Sequence, residues 1–183
     1  PEKKLEYFKL LCAIGFKEIE VSFPSASQDD FDFVRNLIEK KEIPSDVRIS
    51  VLTQAREPLI RRTVESLVGV EKAILHLYVA TSDLHEQIVF GKTHEETMKM
   101  AVEGTKLVRR CLKEYGLESK VAYEFSPEEF TDSDPDYVIE VCKAVKEAWG
   151  PSAKNDFIAN LPQTVERRPP HHYADMIAYF IEK

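Results

Sequence analysis

Five side chains in this chain are of the right type, at the right kind of position, to do chemistry: His76, Ser126, Glu128, Asn160 and Thr164. Glu128 follows Ser126-Pro127, where a β-branched and aromatic run from Val121 is expected to stop because proline has no N–H for a neighbouring strand. A carboxylate just past a strand end suits a general base or a partner for a metal-bound water. Its competing role, shared with Glu129, is compensation of a helix-start dipole. His76 interrupts the apolar run 72–79, and the strand repeat of two puts Ile74, His76 and Tyr78 on one face. Near a rim it could donate a hydrogen bond to a substrate carbonyl or carboxylate; otherwise it is a satisfied core group. Thr164, two residues after Pro162, could give its hydroxyl to a substrate carboxylate or serve its own loop. Glu20 alternates with Ile19 and Val21, so it points into a polar interior or pairs with a neighbour. Metal-ligand spacing is missing. His85 and His94 have no carboxylate at ligand spacing, adjacent helical His171 and His172 point about 100° apart, and no metal ligand is assigned.

The elements that must hold these residues alternate. Strands are expected over 17–23, 47–52, 72–79, from Val121 to the Ser126-Pro127 stop, and over 156–160, each apolar and ended by Pro or polar residues. Helices are expected over 1–12, from Ser27 to Lys40, from Pro58 to Gly69, from Thr93 to Gly116, from Pro135 to Gly150, and over 171–183. Ser27 and Asp134 read as N-caps, Thr93 and Glu96 have capping-box spacing, and Gly15, Gly69, Gly116 and Gly150 read as stops. Residues 80–92 and 161–170 read as loops. Strict alternation with short links implies right-handed βαβ units and a parallel sheet buried on both faces. Five such strands fit an open doubly wound sheet, favoured by length, or part of an eight-stranded barrel; the pattern does not separate the two. In either, Ser22, Ser25, Ser27, Thr53, Gln54, Arg56, Thr81, Ser126, Glu128, Asn160, Gln163 and Thr164 collect at the C-terminal ends of the strands, where parallel sheets bind ligands.

At 183 residues the chain is read as one domain. A net charge of −7 does not favour nucleic acid or an anionic membrane as partner. No apolar run approaches the ~20 residues of a membrane span, and Pro-Glu-Lys-Lys is no signal peptide. Cys12, Cys111 and Cys142 lie far apart in helical patterns and read as reduced core thiols of a cytoplasmic protein. Neither common glycine-rich nucleotide motif occurs.

Four rim segments carry a further signal: Ile19–Ser27 (IEVSFPSAS), Val51–Arg56 (VLTQAR), Tyr123–Glu128 (YEFSPE) and Asn160–Glu166 (NLPQTVE). In order and spacing they resemble the α-isopropylmalate (2-isopropylmalate) synthase family, most closely its long fungal and actinobacterial form. The resemblance implies a (β/α)₈ TIM barrel, an acyltransferase that condenses acetyl-CoA with 2-oxoisovalerate in leucine biosynthesis. It implies a divalent metal (Mg, Mn or Zn) and a cytoplasmic homodimer. It also implies that Leu52, His76, Ser126, Asn160, Pro162 and Thr164 line the oxo-acid pocket, that Thr164 holds the carboxylate, and that Glu128 is the acid/base group beside the metal. Ser22 stands where the family usually has glycine and Gln163 where it has alanine, substitutions that could narrow the pocket. The family's Arg-Asp pair on the first strand and its H-x-H late in the barrel are not in this chain. The resemblance therefore implies a partial barrel, second strand to sixth helix, spanning 1–183. Such a piece would lack metal ligands, have unpaired edges and be inactive alone. A sister citramalate- or homocitrate-type synthase and a truncated, non-catalytic binding or assembly module stand as alternatives.

Overall fold

In the computed structural model, residues 2–153 and 155–183 are described, which leaves Pro1, where the expected first helix began, outside them. The order is α1 (Glu2–Ile14), β1 (Glu18–Ser22), α2 (Gln28–Glu39), β2 (Arg48–Gln54), α3 (Glu57–Ser66), β3 (Ala73–Ala80), a π-helical turn (His85–Phe90), α4 (His94–Glu114), β4 (Val121–Glu128), a 3₁₀ turn (Phe130–Asp132), α5 (Pro135–Trp149), β5 (Phe157–Ala159) and α6 (Pro170–Glu182). The expected signals set these ends. Ser27, Thr93 and Asp134 accept the N–H three residues on, and Thr93 and Glu96 complete a capping box. Gly150 ends α5 at φ +63, a left-handed conformation that L side chains rarely adopt.

The five strands are parallel and lie in the order β1-β2-β3-β4-β5. This order resolves the choice that the pattern left open. A doubly wound sheet reverses its winding at a switch point and carries helices on both faces. Here every crossover steps to the next strand in the same direction, and a constant right-handed crossover leaves all the helices on one side. The sheet is that of a (β/α) barrel, incomplete, with β1 and β5 as its edges among the described residues.

Along β3 both faces are buried, as expected, but by different kinds of residue. Odd-numbered positions Ile49, Val51, Ala73, Leu75, Leu77, Val121, Tyr123 and Phe125 pack under the helices with Val34, Ile60, Val108, Val138 and Trp149. The even-numbered face mixes apolar Leu52, Ile74 and Ala122 with Glu18, Glu20, Arg48, Ser50, Gln54, His76, Tyr78, Glu124 and Ser126, and it is concave. Arg48 on β2 pairs with Glu18 on β1 and, at 3.0 Å, with Asp156 just before β5. In a flat sheet β2 and β5 would stand about 14 Å apart, so this contact requires curvature.

Two expectations about loops also change. β4 does not stop at Ser126-Pro127: Pro127 pairs in register with Val79 and Glu128 with Ala80. The Tyr123 N–H donates to Asp156 O and the Asn160 N–H to Phe125 O, so odd positions of β4 point their backbone groups toward β5. Pro127 is odd, and β5 has already ended beside it, so the missing N–H removes no ladder bond. Glu128 is thus the last strand residue, its carbonyl accepting the Thr81 N–H at 3.0 Å. Within 80–92, read as a loop, residues 85–90 wind into the π turn, closed by left-handed Gly91.

Candidate functional site

Four polar side chains form one hydrogen-bonded line across the concave face. His76, 8% exposed in the middle of β3, reaches Glu20 Oε2 on β1 through Nδ1 and Ser126 Oγ on β4 through Nε2, both at 2.6 Å. The amide of Asn160, just past β5, donates to the same Ser126 Oγ at 2.7 Å. The Ser126 hydroxyl thus sits between the Asn160 amide, from which it accepts, and His76 Nε2, while Glu20 faces Nδ1. Glu20 thus points inward and also pairs with a neighbour. Both nitrogens of His76 are held by protein, so it is a satisfied buried group; its influence on a ligand passes through Ser126. Leu52 lies in register beside it, and Glu124 on its other side. Burial holds the Glu124 carboxyl above the usual range, partly offset by His76.

Glu128 opens into a different part of the same rim. A cavity of about 390 Å³ is lined there by Gln54, Arg56, Tyr78, His85, Phe90 and Glu128, among others. Gln54 donates to the Tyr78 hydroxyl at 2.7 Å. Burial raises the Glu128 carboxyl above its ordinary range; His85 partly opposes this and Glu129 adds to it. The lining includes none of Leu52, His76, Ser126, Asn160, Pro162 or Thr164.

The loop after β5 ties the two parts together. Thr164 Oγ1 accepts the Glu129 N–H at 2.9 Å, so this hydroxyl sits at the shoulder of Glu128 with its own proton free to donate elsewhere. Pro162, half-buried, lies between Asn160 and Thr164 on that loop. Ser22 and Gln163 use their polar groups locally. Ser22 Oγ donates to Asp30 at 3.0 Å, at an irregularity in β1, and Gln163 donates to the Arg168 carbonyl at 3.2 Å.

Sequence spacing missed the partners of two histidines. His85 Nδ1 lies 3.3 Å from Glu129 Oε2 across the β3–α4 and β4–α5 connections. His94 meets Glu86 through Nδ1 and lies 3.6 Å from Asp83 through Nε2, because the π turn folds residues 83–86 back onto the start of α4. Donor atoms of Asp83, Glu86 and His94 come within 4.8 Å of one another, a set that could hold a metal ion. One carboxylate faces each ring nitrogen, so the imidazole bridges the two acids instead of converging with them on one point. Glu86 is 2% exposed and takes a further hydrogen bond from the Tyr137 hydroxyl at 2.7 Å. One overlooked residue had a legible signal: Glu124 follows from the strand period of two once Ser126 is placed on the concave face.

Comparison with known proteins adds the following. The family model described as HMGL-like matches residues 1–183. The chain is 55% identical over 183 residues to the 2-isopropylmalate synthase of Schizosaccharomyces pombe, covering 98% of this chain and 31% of that protein. It is 53% identical over 181 residues to that of Saccharomyces cerevisiae, covering 98% and 29%, and 49% identical over 184 residues to that of Clostridium acetobutylicum, covering 100% and 33%. The chain thus spans about a third of the length of these relatives.

Proposed function

From the premise that this chain belongs to the HMGL-like family, we propose that it forms, as a single partial barrel domain, the middle of the catalytic barrel of a 2-isopropylmalate synthase. That enzyme joins acetyl-CoA to 2-oxoisovalerate by a Claisen-type condensation and releases CoA. The observation that carries the reading is that one curved sheet holds the polar line Glu20–His76–Ser126–Asn160 across its concave face and the Glu128 carboxylate at the C-terminal end of a strand. Barrel enzymes build their sites there.

The roles follow from chemistry. Glu128 takes a proton from the acetyl methyl; a carboxylate made more basic by burial is better matched to that task. Thr164, its oxygen engaged by the Glu129 N–H, gives its proton to the oxo-acid carboxylate. Ser126 and Asn160 face the oxo acid, oriented by His76 and Glu20, and Leu52 supplies apolar wall for the branched side chain. Pro162 sets the path of the loop between Asn160 and Thr164.

A divalent metal would polarise the oxo-acid carbonyl. Around the oxo-acid pocket the described side chains do not make a ligand set for it: Glu20 and His76 hold each other, and Glu128 is one carboxylate without a converging partner. For the same reason the 183-residue chain alone is expected to give no turnover. In the full-length protein, assembled as a cytoplasmic homodimer, CoA release is measured with acetyl-CoA, Mg²⁺ or Mn²⁺ and a panel of 2-oxo acids. Preference for 2-oxoisovalerate supports the reading. Preference for pyruvate or 2-oxoglutarate assigns a citramalate- or homocitrate-type synthase, and sedimentation tests the dimer.

A further inference from the structure

Glu129, directly after the proposed base, has a backbone that a non-glycine residue adopts at a cost: φ is +61 and ψ +34. The left-handed region costs roughly 1–2 kcal/mol for an L side chain with no special support. At Glu129 nearly every polar group is engaged. Its N–H donates to Thr164 Oγ1 at 2.9 Å, on the loop after β5. Its carbonyl accepts the Asp132 N–H and the Ser133 hydroxyl, each at 2.9 Å. Its carboxylate accepts from the Ser82 hydroxyl and lies 3.3 Å from His85 Nδ1, both on the β3–α4 connection. Ser82, 3% exposed, in turn accepts the His85 N–H at 3.2 Å. His85 lies 5.1 Å from the Phe90 ring, and these two residues form wall of the cavity into which Glu128 opens. Glu129 itself does not line that cavity.

We propose that Glu129 is a positioning residue. Its left-handed turn directs the Glu128 carboxylate into the cavity, and its own carboxylate latches the π turn in place as the cavity wall through Ser82 and His85. The inference rests on the reading of Glu128 as the base and names what sets that base's geometry. Small displacements of a positioned group cost one to two orders of magnitude in rate, and the latch is built from contacts that can be removed without touching Glu128.

The test uses the full-length protein with E129G, S82A, E129Q and E128Q. Glycine keeps the left-handed backbone and deletes the carboxylate; S82A removes the latch partner and leaves residue 129 intact. E129G and S82A are expected to lower kcat by tenfold to a hundredfold with KM for the oxo acid changed less than threefold. Both should speed amide hydrogen exchange across 82–92, and E129G should melt no lower than the parent. E129Q, which keeps an acceptor for Ser82, is expected to recover most of kcat. Unchanged kcat in E129G and S82A overturns the proposal, as does a fall in kcat matched by loss of folded protein or unchanged exchange over 82–92. Full activity in E128Q instead overturns the reading of Glu128, and the exchange data then report on the latch alone.

Discussion

Replacing Ser126 by alanine cuts the polar line of the concave face at its centre. The hydroxyl makes two hydrogen bonds, one with His76 Nε2 at 2.6 Å and one from Asn160 Nδ2 at 2.7 Å, at a position 3% exposed. A buried polar group left without its partner costs about 1–3 kcal/mol. His76 is 8% exposed and falls toward the upper part of that range, whereas half-buried Asn160 regains water and falls at its lower end. S126A should therefore destabilise by about 3 kcal/mol. H76A removes the same hydrogen bond from the other side, together with the bond to Glu20, whose side chain is 45% exposed and rehydrates. Because the two substitutions share one contact, their effects should not add. Urea unfolding of the parent, both single variants and S126A/H76A should give a coupling energy of about 1–2 kcal/mol. A coupling below about 0.5 kcal/mol would mean that the two residues act independently, and the reasoning from a continuous line would fail.

Three further outcomes are expected. G104A should lower stability by about 1 kcal/mol in a thermal melt: a Cβ there lies 3.0 Å from the Ala55 Cβ and 3.4 Å from Leu77 Cδ1, and overpacking of about 1–3 kcal/mol exceeds the ~1 kcal/mol gain in helix propensity. Y137F withdraws the 2.7 Å hydroxyl donor from buried Glu86 and should cost about 1–3 kcal/mol, read by the same melt; a change under about 0.5 kcal/mol would contradict the assigned bond. The Glu128 carboxyl is raised in the folded protein, so the base is protonated, and kcat falls, at a higher pH than for an ordinary carboxylate near 4.3. The sign for stability is the opposite. A raised carboxyl favours the fold most in its protonated form, and that contribution is lost as pH rises through the raised value. A kcat–pH profile with no acidic limb above the ordinary range would count against Glu128.

Much of the fold was legible because its signals are local. Ser27, Thr93 with Glu96, Asp134 and Gly150 each mark a helix end through a bond made within a few residues. The winding of the sheet was not marked this way, although one signal was present. Glu20, Arg48, Ser50, Gln54, His76, Glu124 and Ser126 recur at a period of two, and a sheet with helices on both faces would not turn so many polar groups to one face. The π turn has no sequence period of its own, so its contacts between Glu86 and His94 and between His85 and Glu129 were hidden until the chain folded. Pro127 misled for a geometric reason: whether a strand proline costs a bond depends on which neighbour its N–H would face, and here that neighbour had ended. The rim segments were readable as a set, while the satisfaction of both His76 nitrogens and the left-handed turn at Glu129 are three-dimensional facts.

Glu128 carries the proposed proton transfer. CoA release by the full-length protein, supplied with acetyl-CoA, 2-oxoisovalerate and Mg²⁺ or Mn²⁺, should fall by about 10²–10⁴-fold in E128Q, with little change in KM for the oxo acid. Turnover by E128Q at the rate of the parent, or no CoA release by the parent with any 2-oxo acid, would contradict it.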